Sequence, residues 1–198
     1  HIRMTRQAEA ILEALELHPA SVVIGRQVHG AAVARHGGPQ RPSLWPDPQA
    51  DPGEVDGHVV DRSGLAALVF VADCLPVALA GERGLAMLHC GWRGLAAGII
   101  GVGVDATGAT AAAVGPGIGG CCYEVGDEVL AAFAPLGDGS AAGRMLDLKV
   151  VARRLLERAG VAAIEDAGIC TCCECDVFFS HRGDGPETGR QAGIVRAT

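Results

Sequence analysis

Residues 64–89 read GLAALVFVADCLPVALAGERGLAMLH, three short apolar runs cut by a polar break and by the turn GERG. The first, GLAALVFVAD (64–73), is apolar at every position but its last, which predicts a strand buried on both faces. PVALA (76–80) and GLAMLH (84–89) predict two further short strands joined by a tight turn. A chain built around such strands must cover both faces of a sheet, and that confines it to layered architectures. No apolar run reaches the roughly 18 residues that would cross a bilayer, so no membrane span is expected.

The flanking segments fill in the layers. TRQAEAILEALEL (5–17) sets Ala8, Ile11, Leu12 and Leu15 on one face and offers Thr5 as a cap, which predicts an amphipathic helix. SVVIGRQVHGAAVAR (21–35) has strand character broken at Gly25 and Gly30, and the Pro- and Gly-rich stretch 36–54 reads as a surface loop. VDGHVVD (55–61) and AAAVG (111–115) read as short strands. From Gly94 a helix starts, but Gly101, Gly103 and Gly108 predict an early interruption. EVLAAFA (128–134) is helical in pattern. LDLKVVARRLLERAG (146–160) is the clearest helix, with Asp147 as cap, Leu148, Val151, Leu155 and Leu156 as its stripe, and Gly160 as its stop. The tail from Val177 predicts a strand, an exposed loop and a final strand. Strands and helices intermix without regular βα alternation, repeats or linkers. The expected fold is mixed α/β (α+β): a layered sandwich of mixed β-sheet with flanking helices, in a single domain over residues 1–198.

Net charge is −7, against the basic surface that non-specific nucleic-acid binding requires, so no nucleic-acid partner is expected. Lys149 is the only lysine, leaving arginine, the better fork for phosphate or carboxylate, as the working cation. Eight cysteines in 198 residues are too few for a disulfide scaffold and fit thiols or metal ligands in a reducing compartment. The opening HIRMTRQAEA has no apolar core of a secretory signal, and the expected location is cytoplasmic. No signature of an oligomeric state is present.

Three predicted strand ends carry metal-ligand residues: QVHG (27–30), ADCLPV (72–77) and HCGWRG (89–94). One cysteine and two histidines suit zinc, and three protein ligands leave the open position of a catalytic site. The residues are 45 and 15 apart in sequence, so spacing alone also admits two buried histidines and a core cysteine.

QVHG, VDG, ADCLPV, HCGWRGLAAGII, VGPGIGGCCYEVG and FFSHRGDGPETGRQAG occur in this order from residue 27 to about residue 194. Together they resemble the YfiH family, also labelled laccase-domain or polyphenol-oxidase-like. The resemblance implies a mixed α/β layered fold and a zinc site made of His29, Cys74 and His89, with copper as the alternative metal. It further implies phosphorolysis of purine nucleosides (adenosine, inosine, methylthioadenosine), with nucleoside and phosphate as small-molecule partners, and adenosine deaminase activity. Other activities attached to the family are an amidase that edits peptidoglycan precursors and a copper-type polyphenol oxidase. Two departures stand out. The N-terminal Gly/Ser-rich stretch usual before the first helix is not seen, and the link between GWRGLAAGII and AAAVG is short.

Within this frame the expected catalytic residues are Cys74, His29, His89, Asp73 and Arg93, with Arg93, Arg182, Arg190 and Trp92 as substrate-binding candidates. Asp73 or Asp56 would serve as acceptor for a ligand histidine or as a general base. Arginines in Gly-containing loops would reach an anion, and Trp92 would stack on a base. GPGIGG (115–120) formally matches a dinucleotide loop, but Pro116 removes a donor and no strong helix follows, so that reading is set aside. CTCCEC (170–175) is read as incidental thiols, because no partner pair at metal-finger spacing lies nearby. The rivals are a cysteine hydrolase, with Cys74 as nucleophile activated by His29 or His89, and a non-catalytic binding module. A trinuclear copper cluster needs paired H-x-H ligands, and none occurs among the seven histidines.

Overall fold

The computed structural model describes residues 10–18, 21–37 and 53–198. Its centre is a six-stranded sheet in the order β10-β7-β5-β6-β3-β2. The strands are β2 (Val33–His36), β3 (Gly57–Val60), β5 (Leu75–Gly81), β6 (Gly84–Cys90), β7 (Ala109–Val114) and β10 (Ala163–Asp166). β5 and β6 form the predicted hairpin, and β3 and β7 flank it antiparallel. β2 and β10 add in parallel at the two edges. A three-stranded sheet, β1 (Val22–Val23), β4 (Ala66–Val71) and β11 (Gln191–Arg196), lies on one face. Helices α2 (Ile99–Thr107) and α4 (Leu148–Arg158) lie on the other.

Period-two alternation decides which layer each side chain meets. Along β5 and β6, Leu75, Val77, Leu79, Ala86, Leu88 and Cys90 point into the core shared with Ile99, Ile100, Val104 and Val151. Met87 points the other way, to Val69 and Val71 of β4. Leu75, Leu79 and Leu88 are at most 1% exposed, and burial of each contributes about 1.5–3 kcal/mol. β4, buried at all six positions, is the strand expected from the continuous apolar run.

Two expectations need correction. The helix after Gly94 is not cut short: α1 (Trp92–Ala96) gives way to α2, which runs through Gly101 and Gly103 to a cap at Gly108. A β-carbon at Gly103 would stand 2.8 Å from Leu79 and Leu88, so the glycine is what lets the helix lie close on the sheet. The segment after Val177 is not a strand but a turn leading to α5 (His181–Asp184), capped by Ser180. Asp147 does cap α4, accepting from Lys149 and Val150 N–H. α3 (Asp127–Phe133) fits its pattern, while β10 and the small hairpin of β8 (Ala141–Ala142) and β9 (Met145–Leu146) have no counterpart in the sequence reading. Of the first expected helix, residues 10–14 are helical; Thr5 and Ala8 lie outside the described residues, as do 38–52 of the expected loop.

Candidate metal centre

Strand polarity brings the motifs together. Because β5 begins where β6 ends, Cys74 stands just before Leu75, the register partner of Cys90, and His89 pairs with Pro76. β3 starts at the same edge, where Asp56 O accepts from His89 N–H at 2.7 Å. QVHG enters beside them: Gln27 bonds both the N–H and the C=O of Phe70 through its amide, pinning the loop to β4. Donor atoms of His29, Cys74 and His89 all lie within 4.8 Å of one another, and the two imidazoles stand edge to face with centroids 4.7 Å apart. His29 is exposed, Cys74 half-buried and His89 buried, so the group opens to solvent on the His29 side.

Asp56 organises two of the three. Its carboxylate, with no exposed surface, accepts the backbone N–H groups of Val28 (3.1 Å), His29 (2.9 Å) and Gly30 (2.7 Å). It also accepts from His89 Nδ1 at 2.7 Å. A carboxylate held ionised can only accept, so His89 Nδ1 carries a proton, and Nε2, on shedding its own, is the nitrogen left for a metal. Burial acts to raise the Asp56 pKa, but the bonds from His89 and the loop N–H groups outweigh it and hold the pKa low. His89 is raised to about 9: burial opposes its charge, and Asp56 and Cys74 more than compensate. Cys74 falls to about 7, burial pushing it up and the two histidines pulling it down further. A thiol so close to ionisation beside two imidazoles is a donor set that suits zinc.

Backbone strain gathers here. Among the described residues only Glu16, His29 and Asp73 are non-glycine with positive φ, and the last two, at 61° and 85°, flank the centre. Gly91 completes the fit, because a β-carbon there would sit 3.0 Å from both Cys74 Sγ and His29 Cδ2.

The remaining expected residues lie around this core. Asp73 does not touch the histidines; its carboxylate accepts from Thr171 Oγ1 (2.8 Å), Ser180 Oγ (2.8 Å) and Arg182 N–H (2.6 Å), fastening the tail to the centre. Arg93 is exposed and stacks on Trp92 at 4.5 Å. Arg182 lies over the Tyr123 ring and donates to Glu124 O. Arg190 is turned to the carbonyls of Thr188 and Gly189 in its own loop. Thr171 and Ser180, both fully buried, had no motif to mark them, and only the buried Asp73 that they satisfy shows their part. GPGIGG is not a phosphate loop: Gly117 packs against the Asp73 carbonyl, where a β-carbon would come within 2.8 Å, and Ile118 N–H bonds that carbonyl.

Residues 2–198 match the family described as "Multi-copper polyphenol oxidoreductase laccase". The chain is 37% identical to the Geobacillus stearothermophilus protein named "Purine nucleoside phosphorylase YlmD", over 85% of this chain and 69% of that one. It is 37% identical to "Purine nucleoside phosphorylase SCO2081" of Streptomyces coelicolor, over 97% and 81%. The crystal structure of the Bacillus licheniformis hypothetical protein YfiH superposes with a TM-score of 0.88 at 29% identity, covering 98% of this chain and 80% of that one. YlmD itself superposes at 0.86 with 31% identity, over 98% and 80%. By sequence and by fold, the chain belongs to the YfiH family of laccase-like domains.

Proposed function

We propose that the chain is a zinc-dependent purine nucleoside phosphorylase for adenosine, inosine and methylthioadenosine, with adenosine deamination as a second activity. The observation that carries this reading is the convergence of His29, Cys74 and His89, within 4.8 Å, on a side open to solvent, in a chain whose relatives bear the phosphorylase name. Two imidazoles and one thiolate with a vacant position fit catalytic zinc better than copper, whose multinuclear oxidase sites call for many histidines. Zinc bound there supplies Lewis acidity at the open position.

The chain's own groups do the rest. Asp56 fixes the tautomer and direction of His89 and the backbone course of His29. Arg93 and Arg182, both exposed at the rim, gather the phosphate, and Trp92 offers a ring to the purine. Arg190 would serve as a third cation only by giving up its bonds to the Thr188 and Gly189 carbonyls. Asp73 acts as a positioning residue through Thr171, Ser180 and the Arg182 backbone. In phosphorolysis a phosphate oxygen attacks C1′ while the C1′–N9 bond breaks, giving ribose 1-phosphate and a purine that takes up a proton. In deamination water adds at C6 and ammonia leaves, giving inosine. Eight unpaired cysteines and a thiolate ligand fit work in the reducing cytoplasm, on one domain spanning residues 1–198.

Adenosine incubated with the purified chain, with and without phosphate, tests the proposal. Phosphate-dependent adenine and ribose 1-phosphate, with inosine appearing without phosphate, are expected, and His89→Ala should abolish both. Undiminished turnover by that variant refutes the reading. The Cys74 thiol beside two imidazoles also supports a second reading, a cysteine amidase. A covalent acyl-enzyme on Cys74 in a zinc-free active protein would decide for it.

A further inference from the structure

Far from CTCCEC in sequence, Cys121 and Cys122 follow the GPGIGG loop, and the fold brings the two segments together. The Sγ atoms of Cys121, Cys122, Cys170 and Cys173 all lie within 4.8 Å of one another. Those of Cys121 and Cys122 each stand 3.5 Å from Cys173, and all four cysteines are free thiols. A tetrahedral zinc with Zn–S bonds near 2.3 Å has S···S edges of about 3.8 Å, close to the two 3.5 Å separations and inside the 4.8 Å that spans the set. Two of the CTCCEC thiols, Cys170 and Cys173, therefore share one place with Cys121 and Cys122. The pair missing from the sequence pattern lies about 50 residues upstream, where no spacing rule looks for it.

Around the sulfurs the backbone is arranged as it is around bound thiolates. Cys170-Thr171-Cys172-Cys173 is a C-x-x-C in a turn, and Gly119 N–H donates to Cys170 Sγ at 3.1 Å. Gly117 N–H bonds Ile169 O, and Thr171 N–H bonds Gly117 O, lacing the two loops side by side. A β-carbon on Gly119 would come within 3.2 Å of Cys121 Sγ and Cys170 Cβ, so this glycine permits the approach. A divalent ion would take up all four sulfurs as thiolates.

We propose that Cys121, Cys122, Cys170 and Cys173 form a second metal site, a closed tetrathiolate that takes Zn2+ and serves structure rather than turnover. Binding displaces the thiol protons to solvent and leaves four Zn–S bonds with no open position. The site clamps loop 117–122 to loop 169–173. Thr171, between two of the ligands, holds Asp73 next to Cys74, so the clamp also supports the wall of the first centre.

Zinc stoichiometry of the full chain, stripped of metal under reducing conditions and reconstituted with Zn2+, tests this. The wild type should retain two zinc ions, and Cys74→Ser, Cys122→Ser and Cys173→Ser should each retain one. The Cys74→Ser/Cys173→Ser double variant should retain none. Cys172→Ser and Cys175→Ser should keep both. In the Cys74→Ser background Co2+ should give intense thiolate-to-metal absorption that disappears with Cys173→Ser, a readout that does not need activity. Because Cys74→Ser reports on this site alone, failure of the phosphorylase reading leaves the result intact. A Cys74→Ser chain that binds neither Zn2+ nor Co2+ overturns the proposal, as does a cobalt spectrum unchanged by Cys173→Ser. A disulfide from Cys173 to Cys121 or Cys122 in the freshly purified, metal-free chain would also overturn it.

Discussion

Replacing Asp56 by asparagine isolates what one buried carboxylate contributes by holding two residues of the centre, His89 and His29, without being one of the three donors. The side chain keeps its shape, but four donors converge on its two oxygens: the N–H groups of Val28, His29 and Gly30 and the Nδ1 of His89. Asparagine offers one oxygen and one NH2, so at least one donor meets another donor, and the charge that favours protonated Nδ1 is gone. A hydrogen bond to a charged group is worth about 1.5–3 kcal/mol, and a buried donor left unpaired costs about 1–3 more. Removing an outer partner of a ligating histidine lowers metal affinity about 10–100-fold, or roughly 1.4–2.7 kcal/mol. We expect Asp56→Asn to bind zinc about 10–100-fold more weakly and to unfold more easily by about 2–4 kcal/mol. Competition with a chromophoric chelator reads the first, and urea unfolding of the zinc-free chain reads the second. Zinc affinity within twofold of wild type would refute the assigned role, because neither His89 nor the His29 loop would then depend on the carboxylate.

Three other perturbations separate the parts of the structure. Gly91→Ala places a methyl 3.0 Å from Cys74 Sγ and His29 Cδ2, so zinc affinity should fall about tenfold at a cost of about 1–3 kcal/mol from overpacking; unchanged affinity in the same competition assay would show that the loop can yield. Asp73→Asn should lower stability by about 2–3 kcal/mol through Thr171, Ser180 and Arg182 while zinc affinity stays near wild type, and a large loss of zinc would place Asp73 with Asp56 instead. Burial lowers His58 to about 3, with His36 adding to the effect and Asp56 opposing it. Below pH 6.5 the unfolded chain therefore binds a proton that the folded chain refuses, and this residue removes about 1.4 kcal/mol of stability per pH unit down to about pH 3. The stability deficit of His58→Gln measured at pH 7.5 should accordingly shrink as the pH falls, and a constant deficit would contradict that assignment.

Local signals were legible wherever one segment decides its own structure. Asp147 and Gly160 bracket α4 nearly as expected, and the apolar run of β4 reads correctly because both its faces are covered. Of the three ligand motifs expected at strand ends, ADCLPV joins β4 to β5 and HCGWRG follows from the end of β6, but QVHG lies in the loop between β1 and β2, and their meeting depends on the antiparallel register of β6 with β5 and with β3. What local pattern misjudged was settled by tertiary contact. Gly103 resembles a breaker until Leu79 and Leu88 are seen pressing against the helix, while a β-carbon at Gly101 would meet open space. Asp56 and Asp73 were indistinguishable in sequence, since both are acidic residues at strand edges; only the direction of their donors shows that one serves a ligand and the other the tail. The paired cysteine loops were hidden for the same reason, their contact being closed over about 50 residues.

The β5–β6 hairpin places neighbours with opposite duties side by side: His89 faces the centre and Cys90, fully buried, faces the oily interior beside Ile99. Turn length between Gly81 and Gly84 is therefore a reading frame for chemistry. One residue added there, with β6 slipping by one, would bring Leu88 to the place of His89 and drive the imidazole into the place of Cys90, among aliphatic carbons. Diversification of this scaffold is thus free to change the loops at the rim but not to lengthen that turn by an odd number.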